Sequence, residues 1–167
     1  MRENVLDRQR KASSSERPRA FDTIFWGAVV VAILDGLFAF TFYGLILGIK
    51  PLQIFQGVAA GLLGRRSFSG GVKTFVLGLL LHFVVATCIA TVYYLASVKL
   101  PILVHHAVVS GLIYGIIAYL VMKFVVTPLS AIGPRPAPRL TILLTEMTGH
   151  AFLVGLPIAL LARRSAK

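Results

Sequence analysis

Four long apolar runs constrain this chain more than any other feature. They cover about residues 24–49, 72–98, 102–127 and 140–161. About 20 apolar residues suffice to cross the hydrocarbon core of a bilayer as a helix. In lipid the backbone N–H and C=O groups of an isolated run must be satisfied within that run, and the helix is the structure that does so. The expected fold is therefore all-α: a polytopic membrane protein with four transmembrane helices. Composition agrees, at 57% hydrophobic and 14% charged, whereas a soluble domain averages about 25% charged.

The segments between the runs fill in the layout. Residues 1–20 are polar and basic, with Ser13, Ser14, Ser15 and Pro18 opposing a continuous helix; they read as a flexible cytoplasmic tail. The first apolar run is too long for the core of a cleavable signal peptide. Residues 21–164 form the transmembrane domain. Between the first two spans, residues 52–63 are apolar but too short to cross, and Ile54, Phe55, Val58 and Leu62 share one face while Gln53, Gln56 and Gly57 lie mostly elsewhere. This predicts a short amphipathic helix at the interface or dipping in from it. Arg65, Arg66 and Lys73 follow and are placed to contact lipid headgroups. The short link through Lys99 and Pro101 predicts that spans two and three pair as a helical hairpin. Pro128 is expected to end span three, Pro134-Arg135-Pro136-Ala137-Pro138 forms a stiff extended connector, and Pro157 is expected to kink span four.

Net charge is +11. The basic residues flank apolar runs and no nucleic-acid recognition motif accompanies them, so the expected partners are membrane lipids rather than nucleic acid. An even number of spans puts both termini on one side. That side carries ten basic residues against seven on the other, and the excess places both termini in the cytoplasm. The lone Cys88 lies inside an apolar run, where it reads as a small buried residue. Oligomerisation, or membership of a larger membrane complex, is open.

The candidate functional residues are the ionisable ones inside the spans: Asp35, His82, Glu146 and His150. Such groups are costly at membrane depth, so they face the bundle interior and find partners. Depths counted along each helix place all four in the middle to outer half, where they can meet. Three roles compete. They hold the helices in register as a polar core cluster; they form a proton or ion path or sensor, as acid–histidine chains at this depth do; or they hold a haem or a divalent metal, with His82, Glu146 and His150 the available ligands. The i,i+4 spacing of Glu146 and His150 differs from the Glu-x-x-His of di-iron bundles, and no cofactor is expected. His105 and His106 point about 100° apart on a helix and fall near the inner surface, away from the cluster. No P-loop, GxSxG elbow or HExxH is present, and the chain is not expected to be an enzyme.

Three stretches carry a family resemblance: IFQGVAAGLLGRRSFSGGVKTFVLGLLLHFVVATCIATVYYLA, SGLIYGIIAYLVMKFVVTPLSA and HAFLVGLPIALLARR. Together they resemble the YagU-type bacterial inner-membrane proteins, over about residues 35–164. His82-Phe83, the Gly111 to Tyr119 stretch and Pro128-Leu129-Ser130 look like signature positions of that family, and Glu146 with His150 resembles its end segment. The resemblance implies a four-span protein of the bacterial inner membrane and implies no reaction. The leading expectation is a structural or accessory membrane component with a buried polar cluster; the alternative is a small proton or ion conduit or sensor.

Overall fold

The computed structural model describes residues 17–166, so the tail expected over residues 1–20 lies almost wholly outside the described residues. Four helices are long and apolar enough to span a membrane: α1 (Asp22–Ile46), α3 (Gly71–Lys99), α4 (Ala107–Leu129) and α5 (Leu140–Ser165). At ~1.5 Å per residue even the shortest reaches roughly 35 Å, longer than the ~30 Å hydrocarbon core. A shorter helix, α2 (Pro51–Leu63), lies between α1 and α3. Proline at its first position has no N–H to leave unpaired, and Gly64 ends it at φ +62, a conformation that only glycine adopts without strain. Among the described residues there is no strand.

Side chains are sorted by size, as lipid dictates. Large apolar residues such as Ile33, Leu37, Leu80, Val92, Ile113, Phe124 and Phe152 point outward. The core is built largely from small residues: Ala28, Ala86, Ala90, Ala107, Ala159 and Ala162, with Val31, Tyr93, Val154 and Ile158. Lipid tails are as apolar as leucine, so helices gain little by hiding large side chains from them. They gain by close backbone packing, which small residues permit.

The order of packing differs from the expected hairpin. α1 packs against both α3 and α5, α4 packs along α5, and α2 lies along α3. α3 and α4 meet instead through the Tyr93–Tyr114 ring pair, 5.0 Å apart, with the Tyr114 hydroxyl donating to the Ile89 carbonyl at 2.6 Å. The bulky tyrosines hold these neighbours apart, whereas glycines let α4 reach α5. α2 sits deeper than a surface helix: its Phe55 is 3% exposed and lies edge-on to the His82 ring. Gln56, expected off the packing face, is buried; its Nε2 donates to the Gly71 carbonyl at 3.0 Å and to Thr74 Oγ1 at 3.2 Å. The clasp ties α2 to the start of α3.

The third span begins at Ala107 rather than Ile102. Residues Ile102–His105 form a separate turn and the chain breaks at His106 (φ −104, ψ 44). The break buries Val104 while leaving both histidines exposed. The third span stops at Leu129, one residue past Pro128, while α5 runs on through Pro157 to Ser165. Each proline follows a widened, π-type turn: Met122–Val126 before Pro128 and Ala151–Gly155 before Pro157. A helical proline collides with the carbonyl four residues back, here Phe124 and Leu153, the middle residue of each widened turn. The extra residue in the turn makes room for the ring, so that Pro128 lies within the last turn of α4 and α5 continues past Pro157.

Both described ends lie together: the Arg19 N–H donates to Ser165 Oγ at 3.1 Å, and Thr23 Oγ1 is 3.1 Å from the same atom. The end of the bundle that holds them and residues 100–106 is termed the terminal face. The other end, with residues 47–50, 64–70 and 130–139, is the connector face, where Arg65, Arg66 and Lys73 are exposed.

The α4–α5 crossing predicts its own sensitivity. A methyl added at Gly155 would stand 2.0 Å from the Gly111 carbonyl oxygen, and one at Gly115 would stand 2.3 Å from that of His150. Gly155→Ala or Gly115→Ala should cost about 1–3 kcal/mol through overpacking, while Gly57→Ala, with no atom within 4 Å, should be neutral or slightly stabilising. Denaturant titration in mixed micelles measures all three; equal stability would dissociate the fold from this contact.

Candidate functional site

The α4–α5 crossing also sets the polar site. Gly111, Gly115, Tyr119 and Lys123 recur every four residues and so share one face of α4. The two glycines seat this face on Gly155 and on the backbone of His150 and Ala151. One turn further on, Tyr119 and Lys123 arrive at Glu146. Tyr119 donates to Glu146 Oε2 at 2.5 Å and Lys123 Nζ donates to the same oxygen at 3.2 Å. From α1, the Tyr43 hydroxyl donates to Oε1. The Glu146 side chain is only 5% exposed. A buried carboxylate is tolerable when its lone pairs are filled and a cation balances its charge, and here both conditions hold.

Asp35 occupies a second position, farther from the connector face. Its Oδ2 is 4.0 Å from His82 Nε2 and its Oδ1 is 3.9 Å from His150 Nε2. These separations are longer than direct hydrogen bonds but within ion-pairing range. Asp35, His82 and His150 each stand roughly 15–17 Å from the connector-face end of their helices at ~1.5 Å per residue, which is near the bilayer middle.

The other contacts of the imidazoles define their protons. His150 Nδ1 is 2.9 Å from the Glu146 carbonyl oxygen, and His82 Nε2 is 3.2 Å from that of Ala32. A carbonyl only accepts, so Nδ1 of His150 and Nε2 of His82 each carry hydrogen. In neutral His150 the lone pair is then on Nε2, the atom that faces Asp35. The His150 ring also lies 5.1 Å from that of Tyr119.

The four sequence candidates thus fall into two linked groups. Asp35, His82 and His150 converge. The Glu146 carboxylate turns away from them toward Tyr43, Tyr119 and Lys123, and only its backbone carbonyl joins it to His150. These three partners escape a search for acids and histidines. Lys123 nonetheless carries a signal, because a lysine inside an apolar run needs a partner at membrane depth. His105 and His106 lie on the exposed link at the terminal face. Cys88 is exposed on the outer surface of α3 rather than buried. Among the described residues, no group of three or more His, Cys, Asp or Glu side chains is arranged to hold a metal ion.

A cavity of about 290 Å³ adjoins Glu146. Tyr43, Tyr119, Lys123 and His150 line it, and the connector Pro134–Pro138 forms its wall at the connector face. Toward the terminal face, among the described residues, no further acid, histidine or lysine lines the core, and the Tyr93 and Tyr114 hydroxyls are bonded to the Leu103 and Ile89 carbonyls. Beyond Asp35 come Ala28, Val31, Ala86, Ala90, Val154 and Ile158, all buried, and Thr87 and Thr91 bond back to carbonyls of their own helix. The polar track is open at one end and closed at the other.

Removing the Glu146 carboxylate strands three donors at once. Glu146→Ala should destabilise the bundle by about 1–3 kcal/mol, and a cycle of Glu146→Gln with Lys123→Met should give a coupling of roughly 0.5–2 kcal/mol in micelle unfolding. Additive effects would mean that the pair does not interact. No family model, curated protein or solved structure matches the chain, so the functional reading rests on this geometry.

Proposed function

We propose that this integral membrane protein is an accessory component of a bacterial inner membrane whose core binds a proton arriving from the outer side, and that it senses protons rather than conducting them across. The observation that carries this reading is the placement of the Asp35 carboxylate between His82 Nε2 and His150 Nε2 at 4.0 and 3.9 Å. With His150 Nδ1–H committed to a carbonyl, the Asp35–His150 pair has room for one more proton. The proton-bound pair is neutral whichever atom holds the proton; the proton-free pair carries one negative charge. Proton binding therefore changes the charge at the point where α1, α3 and α5 meet.

Every titratable group packed near the pair belongs to the same track. His82 faces it from α3, Tyr119 from α4, and Glu146 lies one turn along α5, itself bound to Tyr43 and Lys123. The cavity at the connector face supplies the way in, and the alanine-rich layer beyond Asp35 favours a sensor over a conduit. The orientation, with both termini cytoplasmic, is supported by the excess of basic residues on that side. The YagU-type resemblance supports the bacterial inner membrane.

Two measurements test the proposal. In nanodiscs, the ring resonances of His82 and His150 should respond to pH, and Asp35→Asn should alter the response of both, because coupled groups act as a unit. In liposomes with an entrapped pH dye, proton flux should stay at the protein-free level. Flux abolished by Asp35→Asn would establish a conduit instead. Resonances that ignore pH, or ignore Asp35→Asn, would leave the cluster a purely structural role.

A further inference from the structure

The cavity at the connector face has a charge balance that the Asp35 pair does not use. Its charged lining residues are Lys123, Arg135 and Glu146, two cations against one anion. Glu146 is already occupied by Tyr43, Tyr119 and Lys123, and a cationic ligand would have to displace Lys123 to reach it. The ammonium of Lys123 has three N–H donors, of which one goes to Glu146. Arg135 is exposed and forms no ion pair among the described residues. Spare donor capacity therefore sits on the cationic side of the cavity, backed by an anion that is fully engaged.

The remaining walls are apolar. Met122 and Phe124 lie on the lipid-facing side, with Phe124 54% exposed, and prolines of the connector close the other side. The Lys123 backbone stands roughly 9 Å below the connector-face end of α4 at ~1.5 Å per residue, a depth from which a long side chain reaches toward the headgroup level. The volume, about 290 Å³, suits a small polar head rather than a whole lipid.

We infer that this cavity binds a phosphate ester, held by the Lys123 ammonium and the Arg135 guanidinium, with any attached chain leaving past Phe124 into the bilayer. Arg135 supplies the planar fork that matches two phosphate oxygens, and Lys123 a point charge beneath it. The site adjoins the proton-binding pair at His150, which lines the cavity, but its anion-binding groups are Lys123 and Arg135, and Asp35 and His82 take no part in it.

The test uses the full chain purified in detergent and probed with two sources of the same chemistry. Native mass spectrometry with phosphatidylglycerol, against phosphatidylcholine as the zwitterionic reference, reports the lipid headgroup. Calorimetric titration with glycerol 1-phosphate reports the free ester. Preferential retention of phosphatidylglycerol, or saturable binding of glycerol 1-phosphate, is the expected result and identifies the source. Arg135→Gln, an exposed change that leaves the bundle intact, should weaken binding roughly tenfold, as loss of one charge-assisted hydrogen bond does, and Lys123→Gln should weaken it at least as much. Arg65→Gln with Arg66→Gln, on the same face but outside the cavity, should leave it unchanged. Binding of neither probe, or equal losses in the cavity variants and the Arg65–Arg66 control, would overturn the inference.

Discussion

The structure depends on the close approach of α4 to α5, which glycine makes available. The Gly111, Gly115 and Gly155 backbones meet where any side chain would collide. In water such a contact would be a small addition to a hydrophobic core. In lipid it is a main source of association, because burying apolar surface between helices gains little. The crossing also sets register: with Gly115 seated on His150 and Ala151, the next turns of α4 bring Tyr119 and then Lys123 to Glu146. A buried carboxylate and a half-buried lysine within an apolar span are each costly alone. Here the packing of small residues delivers one to the other.

The prolines follow a related logic. Pro128 and Pro157 stand near opposite ends of adjacent helices, each after a widened turn centred on the carbonyl that its ring would strike. The widened turn in α5 starts directly after His150, and the one in α4 contains Lys123. Local unwinding thus flanks the polar site on both of its helices. Exposed backbone carbonyls at such turns are tolerable at membrane depth only where protein or a polar cavity satisfies them; Thr127, which donates to the Met122 carbonyl at 2.8 Å, serves this purpose in α4.

The bundle is asymmetric across the membrane. Its connector half holds the cavity, the Glu146 cluster and the Asp35–histidine group. Its terminal half is an alanine seam closed by Tyr93 and by the Thr23–Ser165 contact. The first half opens on the cavity walled by the proline connector, whereas the hydroxyls of Tyr93 and Tyr114 in the second half are bonded to backbone carbonyls. Asp35 stands where α1, α3 and α5 meet, so a change of charge there would bear on the packing of three helices at once.

The four spans and α2 are legible in the sequence because apolar run length and the positions of glycine and proline are local properties. Asp35, His82, Glu146 and His150 are legible as candidates for the same reason: an ionisable residue inside an apolar run stands out without any knowledge of its neighbours. Their partners are not legible. Tyr43, Tyr119 and Lys123 become a carboxylate's ligands only when α4 settles on α5, and Gln56 becomes a clasp only when α2 lies along α3. The short link between α3 and α4 points to a hairpin, yet Tyr93 and Tyr114 keep those helices apart while glycines draw α4 to α5. Sequence determined which segments enter the membrane, since transfer of a segment from water to lipid depends on that segment alone. Tertiary structure decided which helices touch and which charges meet, since those outcomes depend on how side chains of several segments fit at a crossing.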